Sequence, residues 1–356
     1  MEDFTRPAIE FFKKAKGEIA IVFGHDDDSI ASSSVFFKLA KKLKLKPKLI
    51  VSFQNFEVDE KTAKKLEKFK NILITDIGDT PEERINKLSR KKLLLIVDHH
   101  LPKKYNCLYV NPRLVKKEIY MPASYISWLI YKQFFDSKEI EWIAAFGTLG
   151  DFGAEENKDL FLSLKKNFPE LIGENKIKDR VLFERSLIGK IAKMIDACRI
   201  FEGLKGVKYA SKVVANSKSY KDVLNDRKIR NLYKKLNTEF KKELKRLNKN
   251  KIEIDDFLIY EIKSKYNLKS SFASYLPKIF KNKIIFVAQK SNSYYEVSVR
   301  RGLKRKDDLS KIVSEITKSI RAKGGGHPTA AGMRVEDLKE LIEFLKNKKK
   351  EKTLLG

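Results

Sequence analysis

Four short runs in the first hundred residues are apolar at consecutive positions: EIAIVFG (18–24), PKLIVSF (47–53), NILITD (71–76) and KLLLIVD (92–98). Leu-rich and β-branched residues without polar alternation are expected of strands covered on both faces, as in a parallel sheet. Between them lie stretches with helical spacing, such as SSSVFFKLAKKLKL (32–45). The alternation predicts a doubly wound α/β fold. A helical region follows, ASYISWLIYKQFF and then EWIAAFGTLGDFG, ending near Gly153. Residues 217–250 read as one long basic helix, because Ile229, Leu232, Leu236, Phe240, Leu244 and Leu247 recur every three or four positions. Beyond it, DFLIYEIK, NKIIFVAQK and YYEVSVRRG read as strands, and SSFASYLPKIF and DLSKIVSEITKSI as helices. That predicts a smaller α+β domain. The expected division is 1–195, a helical connector over 196–253, and 254–356.

Charge changes the picture more than composition does. The 356 residues carry a formal net charge of +29, which points to a polyanionic partner, most simply nucleic acid. No apolar run approaches the roughly 18 residues of a membrane span, and the first residues lack the apolar core of a signal peptide. The only cysteines are Cys107 and Cys198, far apart, which disfavours a disulfide framework and predicts a reducing, cytoplasmic setting.

The chemistry gathers around four histidines. His25 precedes Asp26, Asp27 and Asp28 in IVFGHDDDS; His99 and His100 follow Asp98 in VDHHLP; His327 follows Gly324, Gly325 and Gly326 in KGGGHPTAAG. In a parallel sheet, ligands collect at the carboxyl ends of the strands. The loop after residue 24, Asp76 and the Asp98–His99–His100 triplet each end an apolar run, so they are expected on one edge. Asp151, in GTLGDFG, is a further acid able to close the site. Carboxylates with imidazole suit Mn²⁺ or Mg²⁺, and the lack of thiols disfavours structural zinc. Three adjacent acids repel one another unless a cation lies among them. In an extended segment alternate side chains share a face, which pairs Asp26 with Asp28. A compressed turn pairs His25 with Asp27 instead, and both arrangements remain open.

VDHHLP and GGGHPTAAG resemble the two signatures of the DHH phosphoesterases that carry a DHH-associated C-terminal domain, and most closely the RecJ-type exonucleases and their archaeal relatives. The resemblance covers roughly residues 18 to 335. It implies two Mn²⁺ ions held by Asp26, Asp28, Asp76, His99 and Asp151, with Asp76 bridging them and Asp98 among the neighbours that orient His99. It implies that His100 faces the scissile phosphate and that Arg300, in SVRRG, binds a substrate phosphate. Gly324–Gly326 would offer backbone amides and His327 a donor. Related first motifs often read His-x-Asp-Ala-Asp-Gly. Here Gly24 stands where His or Asp is expected, or one residue is missing, and Ser29 replaces the glycine. The activity implied first is a Mn²⁺-dependent exonuclease on single-stranded DNA or RNA. A hydrolase of short oligonucleotides, pAp or cyclic dinucleotides comes second, and a non-enzymatic scaffold with replication or repair partners third.

Overall fold

The computed structural model describes residues 4–52, 57–326 and 328–354. Two compact units divide the chain, Met1–Tyr233 and Lys234–Gly356.

The first unit is built on five parallel strands: β1 (Glu18–Phe23), β2 (Lys46–Val51), β3 (Asn71–Thr75), β4 (Leu93–Val97) and β5 (Leu108–Val110), in the order β2-β1-β3-β4-β5. Phe53, at the end of the second expected run, lies outside the described residues. Both faces of the sheet are covered. Ile19, Ile21, Phe23, Leu73, Leu95 and Val97 join one apolar cluster, while Ala20, Val22, Ile72, Ile74, Leu94 and Ile96 join another on the opposite face. Two-sided burial is the reason the strands lack polar alternation. The register sets Phe23 beside Thr75, Thr75 beside Val97 and Val97 beside Val110. Four strands therefore end level, and the residue after each begins a loop on one edge.

The helix after β1 starts earlier than its apolar spacing suggests, at Asp27, and runs to Lys42. Asp26 caps it: its Oδ1 accepts from the Ser29 amide at 2.9 Å. Asp27 and Asp28 occupy the first turn, where the helix dipole favours acids. The acidic triplet is thus a helix start, and alternation along an extended segment does not govern which of its carboxylates share a face. The expected long basic helix is two, Tyr220–Asn225 and Arg227–Asn250. They break at Asp226, whose backbone is extended (ψ 119°) and whose Oδ1 accepts from the Ile229 amide. A 30-residue helical stretch, Leu187–Asn216, is kinked at Gly203, where φ is 52°.

The second unit holds a six-stranded sheet: β6 (Ile252–Ile254), β7 (Phe257–Ile262), β8 (Ile284–Ser291), β9 (Tyr294–Arg301), β10 (Ala322–Gly326) and β11 (Ala330–Val335), ordered β10-β11-β9-β8-β7-β6. Only β7 and β8 pair in parallel. Phe286, Val299, Val313, Ile316 and Leu341 are among the residues filling its core. No described helix is long and apolar enough to cross a membrane.

Candidate metal centre

The level strand ends place chemistry from distant parts of the sequence together. Asp76 follows β3 with a left-handed backbone (φ 56°), and its amide donates to the Val97 carbonyl. Asp98 follows β4, its amide bonded to the Val110 carbonyl. Asp28 reaches the edge from the helix beside β1. Its Oδ2 accepts from the Ala123 amide at 2.7 Å and its Oδ1 from Ser124 at 2.8 Å. Those amides open the helix Ala123–Lys132, where backbone N–H groups lack intrahelical partners. Asp151 closes the site at the end of the helix Glu141–Gly150.

These groups converge on one nitrogen. His99 Nε2 lies 3.2 Å from Asp76 Oδ1, 3.5 Å from Asp151 Oδ2 and 3.9 Å from Asp28 Oδ2. Two sets of potential ligand atoms, Asp76–His99–His100 and Asp28–His99–Asp151, each fall within 4.8 Å of one another and share His99. The Nδ1 of His99 is buried and has no hydrogen-bond partner among the described residues. Asp98 makes no hydrogen bond to that ring. It holds the neighbouring one, with His100 Nδ1 2.8 Å from Asp98 Oδ1. A Cβ at Gly78 would lie 2.5 Å from the His100 Cβ, so the absence of a side chain there admits the ring. The His100 side chain is 43% exposed, whereas His99, at 8%, is enclosed.

The electrostatics describe a site with too much negative charge for its burial. Burial, then the neighbouring Asp151 carboxylate, raises Asp28 to about 7. Asp76 is held well above the usual carboxylate range by burial and by Asp26 and Asp28. Burial opposes protonation of His99, but Asp151 and Asp28 outweigh it and raise the imidazole. His100 is raised to about 9, its burial outweighed by the bond to Asp98. Asp98 is lowered: burial pushes it up, and the hydrogen bond and charge of His100 more than reverse that. Several carboxylates and imidazoles converging, with no thiolate in either ligand set, fit a hard divalent cation.

The remaining expected residues lie outside these two sets. Asp26 is occupied in part by its cap. Its pKa is lowered because His25 and Ser29 overcome its burial. Asp27 turns toward Gly150, where an added Cβ would come within 2.6 Å of its own, and its surroundings include Asp196 and Arg199. Burial lowers His25 despite the charge of Asp26. In the second unit, Arg300 on β9 donates to Ser274 Oγ at 3.2 Å, Ser270 Oγ at 3.3 Å and the Val299 carbonyl at 2.9 Å. Gly324–Gly326 are exposed on β10, an edge strand. A Cβ at Gly324 would meet Met333 at 2.4 Å, while Gly325 faces open space. His327 lies outside the described residues.

Three contributors lie outside the expected site residues. Ser29 Oγ donates to Asp76 Oδ2 at 2.5 Å. Tyr120 donates its hydroxyl to Asp151 Oδ2 at 2.9 Å. Asn111 Nδ2 bonds the His100 carbonyl at 3.0 Å. Only Ser29 had a signal, as a departure from the related motifs.

A family model described as the DHH family, N-terminal domain, matches residues 18–141, and one described as the DHHA1 domain matches residues 257–351. The chain belongs to the DHH family. Among solved structures, RecJ from Thermus thermophilus in complex with Mn²⁺ has a TM-score of 0.70 at 16% identity, over 98% of this DHH chain and 54% of that one. The chain therefore spans about half of that RecJ. An exonuclease RecJ bound to manganese matches with a TM-score of 0.62 at 16% identity, over 98% of this chain and 93% of that one. The pGpG-specific phosphodiesterase PggH from Vibrio cholerae matches with a TM-score of 0.51 at 10% identity, over 94% and 98%. At these identities the likeness is one of fold. No curated protein sequence is significantly similar to the DHH chain.

Proposed function

We propose that this DHH protein is a divalent-metal-dependent phosphodiesterase, best served by Mn²⁺, that shortens single-stranded DNA or RNA from an end. The observation that carries the proposal is the convergence of the Asp28, Asp76 and Asp151 carboxylates on His99 Nε2. Asp28, His99 and Asp151 would hold one ion, and Asp76 would reach a second. Asp26 is assigned beside Asp76. Such ions, when bound, acidify a water and neutralise charge on phosphate oxygens.

The protein's own residues do the rest. Asp98 keeps the His100 ring charged and in place, and the exposure of that ring suits contact with a phosphate oxygen or the leaving group. Residues 1–195 are assigned to chemistry, 196–253 to a connector, and 254–356 to substrate capture by Arg300, Gly324–Gly326 and His327. The net charge of +29 favours a long polyanion over a dinucleotide. A dinucleotide hydrolase is the second reading, supported by the fold shared with PggH. Intact convergence of the acids disfavours a non-enzymatic scaffold. Cytoplasmic location and contact with replication or repair proteins belong to the same proposal.

End-labelled single-stranded RNA and DNA, and pGpG, incubated with Mn²⁺, Mg²⁺ or chelator, test it. Stepwise shortening of the long strands with Mn²⁺ and none with chelator is expected. Cleavage of pGpG alone supports the second reading, and cleavage of neither overturns the enzyme assignment.

A further inference from the structure

Gly24 and Ser29, on either side of the acidic triplet, lie against one another. Gly24 is buried immediately after β1, and Ser29 is fully buried in the first turns of the next helix. A Cβ on residue 24 would sit 2.5 Å from Ser29 Oγ, closer than such atoms approach. Its other nearest neighbours, the Asp76 carbonyl at 3.4 Å and Ser29 Cβ at 3.5 Å, are at ordinary contact distances. The Ser29 hydroxyl is thus the one obstacle to a Cβ at position 24. That hydroxyl bonds Asp76 Oδ2 at 2.5 Å, and the other Asp76 oxygen, Oδ1, is the one 3.2 Å from His99 Nε2. The Ser29 amide is separately engaged by Asp26 Oδ1. One residue therefore touches both acids that flank the strand-end loop.

We propose that Ser29 is a positioning residue of the metal centre, holding Asp76 by Oδ2 so that Oδ1 alone faces the ion, and that Gly24 supplies the space its hydroxyl occupies. This rests on the reading of the site as a metal centre. Charge-assisted hydrogen bonds of this kind are stronger than neutral ones. Without that bond the carboxylate is freer to rotate and present either oxygen.

The test is a cycle on the full-length protein: wild type, Ser29→Ala, Gly24→Ala and the double variant, with Mn²⁺ affinity measured by calorimetry and the thermal midpoint measured in chelator. Ser29→Gly, run in parallel, removes the same hydroxyl. Ser29→Ala is expected to weaken Mn²⁺ binding about 10-fold while the chelated midpoint moves little. Gly24→Ala is expected to weaken binding at least as much in the wild type, and to add less than about 2-fold once the hydroxyl is gone. Wild-type affinity in both position-29 variants overturns the positioning role. An equal loss from Gly24→Ala in both backgrounds overturns the shared space. Absence of Mn²⁺ binding by the wild-type protein overturns the metal reading itself, a different outcome from either.

Discussion

The two sheets treat charge in opposite ways. In the parallel sheet, strands far apart in sequence end level, and their following residues crowd Asp28, Asp76, Asp98, His99 and His100 onto one edge. In the mixed sheet, strands mostly alternate in direction, so successive loops leave at opposite ends. There Arg300 shares its donors among two serine hydroxyls and backbone carbonyls, and the glycines of β10 stand exposed at the edge. Parallel topology accounts for the buried like charge of the first unit, whereas the second holds a half-buried, internally bonded Arg300 beside an exposed glycine edge. A dense acidic cluster calls for a cation; a guanidinium held by neutral hydroxyls keeps its charge for an anion. Perturbing the first should therefore abolish chemistry, and perturbing the second should weaken engagement.

The largest effect is expected at the nitrogen common to both ligand sets. His99→Ala should lower hydrolysis by more than about 100-fold and weaken Mn²⁺ binding to a similar degree, with Asp76→Ala close behind. Rates with end-labelled strands and calorimetric titration of Mn²⁺ measure both. Wild-type values in either folded variant would remove the contrast between the units. On the other sheet, Arg300→Ala should raise KM for long single strands about 10-fold and leave Mn²⁺ affinity unchanged. An equal loss of metal affinity there would erase the division of labour.

The acidic edge also predicts a pH dependence that the second unit should lack. Asp28 sits near 7 in the folded chain against an ordinary carboxylate value near 4 in the unfolded one. The folded state therefore binds more protons between those values, and stability falls as pH rises through that window. For metal-free protein the loss should reach a few kcal/mol on the order of the Asp28 shift. Mn²⁺ competes with those protons, so the stabilisation it confers should grow from pH 5 to about pH 7. Thermal midpoints in chelator and in Mn²⁺ across that range check both slopes. A chelated midpoint that climbs with pH would contradict the burial of unneutralised acids.

How much of this could be read from the sequence follows the same physics. Four strands and the residues ending them were legible because two-sided burial forces unbroken apolar runs. The strand β5 was not, since three residues, LYV, of which only Val110 is fully buried, make too short a run to stand out. The glycine-rich β10 was not, since AKGGG carries almost no strand propensity and owes its conformation to pairing with β11. Asp76, Asp98, His99 and His100 could be placed by topology alone. The anchors of the acids could not. The amides of Ala123 and Ser124 are backbone groups, which leave no mark in a sequence, and Tyr120 precedes its helix in a segment without periodicity. The helix start at Asp27 is marked in the sequence by a capping Asp followed by acids in the first turn, but the apolar spacing shows only from Ile30 onward and places the helix too late.

The smallest expected effect falls on the middle acid of the triplet, and it sharpens the comparison within a single turn of helix. Asp26, Asp27 and Asp28 are consecutive, yet a helical start points them about 100° apart rather than alternately. Asp28 is drawn onto two amides and toward His99. Asp27 is turned the other way, against Gly150 and into the surroundings of Asp196 and Arg199, and its Oδ1 has no hydrogen-bond partner among the described residues. Arg199 pairs with Asp196 through both Nε and Nη2, so it keeps a counterion when Asp27 is neutral. Asp27→Asn should thus change Mn²⁺ affinity and hydrolysis by less than about 3-fold, and stability by no more than about 1 kcal/mol. Asp28→Asn, one residue on, should lose more than about 100-fold in rate. Calorimetry and rates on the pair measure the contrast. A loss at Asp27 equal to that at Asp28 would restore the pairing of His25 with Asp27 and move the metal loop by one residue.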